Sequence, residues 1–223
     1  GFFLYGFILS WAEENLFSWV DPLERDTSNR DYKWLESIWI RNQYMAGSNR
    51  CVGKLFSLSI NLPEFLAKYP DSKILYIIRD PLAVIPSGLS LVTGVLDKRF
   101  GFWNLPAAQR QHFINKLYHG LAMLLLRFHE DWENGRIDKS RVFIIPFDRI
   151  MMDFDNLMKE VLAFIDYKPT ENLLQDIRVT AEKQRSFQSS HEYDLEKFGL
   201  TAEQIKSDCA PVYATFLNTT PGS

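Results

Sequence analysis

The sequence predicts an α/β protein with a parallel β-sheet flanked by helices. Two observations carry this. KILYIIR (73–79) and RVFIIPF (141–147) are unbroken β-branched and aromatic runs, the pattern of strands buried on both faces of a parallel sheet. Around them lie segments whose apolar residues recur at helical spacing, so strands alternate with helices.

Taken in order, residues 4–17 and 33–46 read as helices, joined by the polar stretch DPLERDTSNRD. Residues 51–56 read as a short, weak strand, and NLPEFLAKY (61–69) as a short helix. The strand 73–79 runs into DPLAVIPSGLSLVTGV (80–95). Pro81 suits a first helical turn, where its missing N–H would have no partner anyway. Pro86 is expected to break or kink that helix. Residues 107–133 form a long helix ended by Asn134-Gly135. After the strand 141–147 come helices at 156–165, 171–184 and 201–216. No repeat, low-complexity tract or linker interrupts the chain, so residues 1–223 are read as one domain.

The opening GFFLYGFILSW resembles a signal core only superficially. No basic residue precedes it, Glu13 and Glu14 follow at once, and it is too short to span a bilayer. The chain starts with Gly inside a helical pattern, which reads as an internal start and an incomplete N-terminus. The 223 residues are 46% hydrophobic and 14% aromatic, enough for a sizeable core, with a net charge of −3. That balance argues against a surface that binds nucleic acid. Cys51 and Cys209 form no metal or haem pattern. They favour a reduced compartment, hence the cytoplasm, although a single disulfide stays open. His112, His119 and His129 lack the i,i+4 spacing of a helical metal pair and read as structural. No metal site is expected.

The chemistry centres on Arg79 and Ser87. In open parallel sheets, ligands bind at the carboxyl ends of strands. Arg79 sits at such an end, and Ser87 lies eight residues on, in the following helix. A guanidinium can grip a phosphate with two parallel hydrogen bonds, a hydroxyl can add a third, and helix amides add partial positive charge. The competing reading is a surface ion pair between Arg79 and Asp80, with Ser87 as filler.

IIRDPLAVIPSGLSL (77–91) resembles the 3′-phosphate-binding segment of sulfotransferases, an Arg-[Asp/Asn]-Pro turn with a Ser eight residues after the Arg. GKLFSLSINLPEFLAKYPDSKILYIIRDP (53–81), RVFIIPFDRIMMDFDNLMKEVLAFID (141–166) and HEYDLEKFGLTAEQI (191–205) resemble further segments of that family. The resemblance covers roughly residues 35–215, in order. It implies a P-loop NTPase-like sulfotransferase fold and the donor 3′-phosphoadenosine 5′-phosphosulfate (PAPS), with no metal. The acceptor would be a small molecule or glycan bearing a hydroxyl or amine.

By the same resemblance, Arg79 and Ser87 would bind the 3′-phosphate, with Ser90 one helical turn further on the same face. Lys54 matches a family lysine near the transferred group, although Leu55 and Phe56 replace the usual polar residue and Pro after it. Phe147 stands where the family has Tyr; it could line the adenine pocket or be core. Arg185 could add a second cation to the 3′-phosphate. His191 could act as a base, or order its segment. Trp11, Trp19, Trp34 and Trp39 could line an acceptor pocket or pack in the core.

The family's Pro-Lys/Arg-Ser-Gly-Thr-Thr loop, which holds the 5′-phosphosulfate, is missing. The glycines at 47 and 53 are spaced wrongly for a Walker loop, and Leu55 stands where Ser or Thr belongs. The loop is expected upstream of residue 1, so this chain alone is expected to show little transferase activity. Two rivals stay open: a non-catalytic nucleotide- or partner-binding relative, and a P-loop kinase. Acceptor, catalytic base, oligomeric state and a Golgi-type anchor upstream are not legible.

Overall fold

A computed structural model of the chain describes residues 18, 21, 23–26, 28–55, 58–186 and 194–217. After helix α1 (Ser28–Ala46), residues 47–55 form neither helix nor strand, and a 3₁₀ turn (Leu58–Ile60) then leads to α2 (Leu62–Lys68). Then come β1 (Ile74–Ile78), α3 (Pro81–Phe100), α4 (Ala107–Glu133) and β2 (Val142–Pro146). Among the described residues that follow are four helices, α5 (Phe147–Met152), α6 (Phe154–Phe164), α7 (Glu171–Ser186) and α8 (Ala202–Asp208). The described chain closes with a helical turn, Ala210–Val212, and a π-helical turn, Tyr213–Leu217. The predicted helix at 4–17 lies outside the described residues.

Among the described residues the sheet has two strands, paired in parallel from Ile74 with Val142 to Ile78 with Pro146. Helices α3 and α4 supply the long connection that parallel pairing requires. Ile74, Tyr76 and Ile78 face the main core. There Tyr76 stacks on Phe128 of α4, ring centroids 3.5 Å apart and planes within 6°. Ile85, Leu89, Val92 and Leu96 of α3 pack with Ile114, Leu117 and Leu121 of α4. A Cβ on Gly88 would lie 2.8 Å from Leu121 Cδ1, so glycine is what lets these two helices approach so closely. A smaller cluster covers the other face of β2, where Ile145 meets Leu157 and Val161 of α6.

Several expectations are corrected. β1 is buried on one face only: Leu75 is 40% and Ile77 53% exposed, because α6 covers β2 rather than β1. Residues 51–55 form no strand, having no partner strand to complete their backbone hydrogen bonds. Helix α3 runs through Pro86, whose side chain is buried with Ile85 and Leu89. One lost backbone bond near the helix start is outweighed by that packing. The final helix is divided at Cys209, just before Pro211, which has no N–H to continue it. A short helix, α5, begins directly after β2, inside the stretch read as strand.

Cys51 is exposed, Cys209 is buried, and both are free thiols. Burial pushes the Cys209 thiol up to about 11. His129 Nε2 and Thr215 Oγ1 are 3.0 Å apart, a structural contact that ties α4 to the C-terminal turn. Among the described residues no helix is long and apolar enough to cross a membrane, and no group of three or more metal-ligating side chains forms.

Arg149 joins α5 to α6 through two hydrogen bonds to Glu160, 2.8 and 2.7 Å, and one to Asp153, 3.0 Å. These bonds hold both carboxyls below their usual values. A depressed carboxyl adds stability above its unfolded pKa, and that stability is lost as pH falls through the folded value. Arg149→Met is therefore expected to lower the melting temperature at pH 7. The gap to the parent should close as pH falls below about 4, a trend that melting curves between pH 3 and 7 measure.

Candidate functional site

The register of the sheet builds the site. Because Ile78 and Pro146 form the last rung, Arg79 and Phe147 leave the sheet side by side at its carboxyl end. The Arg79 guanidinium carbon lies 4.4 Å from the Phe147 ring centroid. A cation over an aromatic face is attracted by the ring's electrons, and the contact restricts the arginine's rotamers. Phe147 is thus neither plain core nor free; it is a half-buried platform for the arginine.

Arg79 forms no ion pair among the described residues. The expected alternative, a pair with Asp80, is absent because that carboxylate is engaged elsewhere. Asp80 Oδ1 accepts the Leu82 N–H at 2.8 Å, capping α3. The same oxygen accepts the hydroxyl of Tyr213. Burial first, then that bond to Asp80, push the Tyr213 hydroxyl well above its ordinary value, so it stays a donor.

Ser87 sits half-buried on α3. Thr93 on the same helix and Ser37 on α1 return their hydroxyls to the carbonyl four residues back, each at 2.8 Å. Ser87 makes no hydrogen bond among the described residues, so its hydroxyl is uncommitted. Ser90 lies one turn on and is exposed. Among the described residues, the carboxyl end of β1 thus carries a guanidinium without an ion pair, and the twenty-residue helix that follows carries a hydroxyl without a hydrogen bond.

The other candidates fall elsewhere. Lys54 is exposed on the segment without strand, so the expected strand position is corrected. Nearby Arg50 donates to the Ile165 and Asp166 carbonyls at 3.2 and 3.3 Å. Lys73, at the start of β1, donates to Phe164 in the same helix end. Arg50 is thus anchored at the amino end of the sheet, opposite Arg79. Arg185 pairs with Asp155, linking α7 to α6. A guanidinium already held by a carboxylate is a poorer phosphate ligand, and the helix packing accounts for its place. A cavity of about 420 Å³ lies between α6 and α7, and none of the candidate residues lines it. His191, Trp11 and Trp19 lie outside the described residues. Trp39 packs edge-on against Phe65 and Tyr69, a core role, whereas Trp34 is 51% exposed.

The model of the sulfotransferase family matches residues 15–171, well over half of the chain. The chain belongs to the sulfotransferase family. No curated protein and no solved structure matches it. The matched span of this sulfotransferase-family chain contains Lys54, Arg79, Ser87, Ser90 and Phe147, and stops short of Arg185 and Tyr213. The acceptance of Tyr213 by Asp80 had no signal in the sequence, since 133 positions separate the two. The capping role of Asp80 did have one: Asp before Pro at a helix start.

Proposed function

We propose that the chain carries the 3′-phosphate half of a PAPS site, in a protein that transfers a sulfuryl group to a hydroxyl or amine acceptor. The observation that carries this is the unpaired Arg79, held over Phe147 at the carboxyl end of β1, with the uncommitted Ser87 hydroxyl on the helix that follows. These groups fit a phosphate dianion: two guanidinium donors, one hydroxyl donor and a helix N-terminus.

PAPS, when bound, supplies the activated sulfuryl group. The chain's own residues contribute positioning and charge. Arg79 grips the 3′-phosphate, Ser87 fixes its orientation, and the Phe147 face keeps the guanidinium in place and offers an apolar wall. Lys54, by family resemblance, would stabilise negative charge on the bridging oxygen. Catalysis of this kind rests on alignment of two reactants and charge stabilisation. The exposed position of Lys54 off the sheet supports the second reading, a relative that binds the nucleotide without transfer.

Calorimetry with 3′,5′-bisphosphoadenosine and with 5′-AMP tests the site directly. The bisphosphate is expected to bind at least about tenfold more tightly, the worth of a charge-assisted contact. Equal affinities would remove the 3′-phosphate assignment. Labelled sulfate passing from PAPS to an acceptor separates transfer from binding alone.

A further inference from the structure

Two of the Arg-Asp dipeptides in the described chain, at 30–31 and 79–80, have opposite outcomes. Arg30 and Asp31, on α1, pair with each other at 2.9 Å. Arg79 and Asp80 do not. The difference lies in what each carboxylate is offered. Asp80 takes the Leu82 amide and, from the far end of the chain, the Tyr213 hydroxyl. Tyr213 opens the C-terminal π-helical turn, which is pinned by buried Val212 and Phe216. A core-anchored hydroxyl thus reaches the turn that carries Arg79. Without it, Asp80 would keep one backbone donor and be free to swing toward the adjacent cation, as Asp31 does.

We propose that Tyr213 is a positioning residue for the anion site. It holds Asp80 as the cap of α3 and keeps that carboxylate off Arg79, so that the guanidinium faces an incoming phosphate unpaired. The assignment rests on reading Arg79 as a 3′-phosphate ligand. It adds a requirement from outside the strand-turn-helix: the C-terminal segment must be docked for the site to bind well. A carboxylate paired with Arg79 would both occupy its donors and repel the phosphate.

The test uses the 223-residue chain and 3′,5′-bisphosphoadenosine in calorimetry. Tyr213→Phe keeps the ring and its packing, and is expected to weaken binding about fivefold to tenfold. Adding Asp80→Asn should restore binding to within about twofold of the parent. The asparagine can still accept the Leu82 amide but has no charge to pair with Arg79. A merely structural role for Tyr213 would not be rescued this way. Parental binding by Tyr213→Phe, or a double variant as weak as the single one, overturns the proposal. Arg79→Ala separates the two assignments. If it binds as tightly as the parent, the nucleotide reading falls. If it binds weakly while Tyr213→Phe binds normally, only the Tyr213 role falls. Amide exchange at Leu82 reads the contact without ligand: it should quicken about fivefold in Tyr213→Phe, and unchanged exchange overturns the positioning role.

Discussion

Arg79→Ala is expected to weaken binding of 3′,5′-bisphosphoadenosine about 100-fold and to leave binding of 5′-AMP nearly unchanged. Hydrogen bonds to charged groups contribute about 1.5–3 kcal/mol, and a bidentate guanidinium–phosphate contact lies at the upper end. About 3 kcal/mol corresponds to roughly two decades in affinity. The arginine starts from a favourable position, because it has no carboxylate to give up and is already held over Phe147 at 4.4 Å. Arg79→Lys keeps the charge but loses the planar fork, so an intermediate loss of about tenfold is expected. Ser87→Ala removes a neutral donor and should cost about 1 kcal/mol. Calorimetry of the three variants against both nucleotides measures this ordering. Arg79→Ala with parental affinity would end the assignment.

Phe128→Ala is expected to destabilise the protein by about 3–5 kcal/mol, the range for deleting a buried phenyl ring. That is a large fraction of the 5–15 kcal/mol typical of a folded domain. Phe128 is fully buried and joins three parts of the structure. It stacks on Tyr76 of β1, lies 6.0 Å from Trp132 of α4, and lies 5.6 Å from Phe216 of the C-terminal turn. Phe128→Leu retains much of the volume and should cost less than half as much. Urea unfolding monitored by tryptophan fluorescence measures both. An alanine variant within about 1 kcal/mol of the parent would show that the ring is not central to the core. Because Phe216 packs on the Phe128 ring, the same cavity should also loosen the turn that carries Tyr213.

The parts of the fold that were legible in sequence are those with a strong single period. KILYIIR and the 27-residue helix α4 were found within a residue or so at each end. The Arg79–Ser87 spacing led to the same strand-turn-helix that the structure places at the sheet edge. What failed depended on neighbours distant in sequence. Residues 51–55 have strand-like composition and no partner to pair with. Leu75 and Ile77 look as buried as Ile74 and Ile78, yet no helix covers them. Pro86 reads as a breaker, and only the packing of α3 on the core shows why the helix survives. The Arg79–Asp80 ion pair was a fair expectation from adjacency. It is absent because of Tyr213 and Phe147, residues 134 and 68 positions from Arg79. Local pattern therefore located the arginine, while the state of its charge was decided by tertiary contacts.

The two thiols give the molecule an internal clock. Cys51 stands in solvent, while Cys209 lies buried at the hinge between α8 and the turn that carries Tyr213. A maleimide added in excess would label Cys51 at once, whereas Cys209 reacts only when the C-terminal segment lifts away. The slow labelling rate, set against the fast one, measures the fraction of time that the segment is undocked.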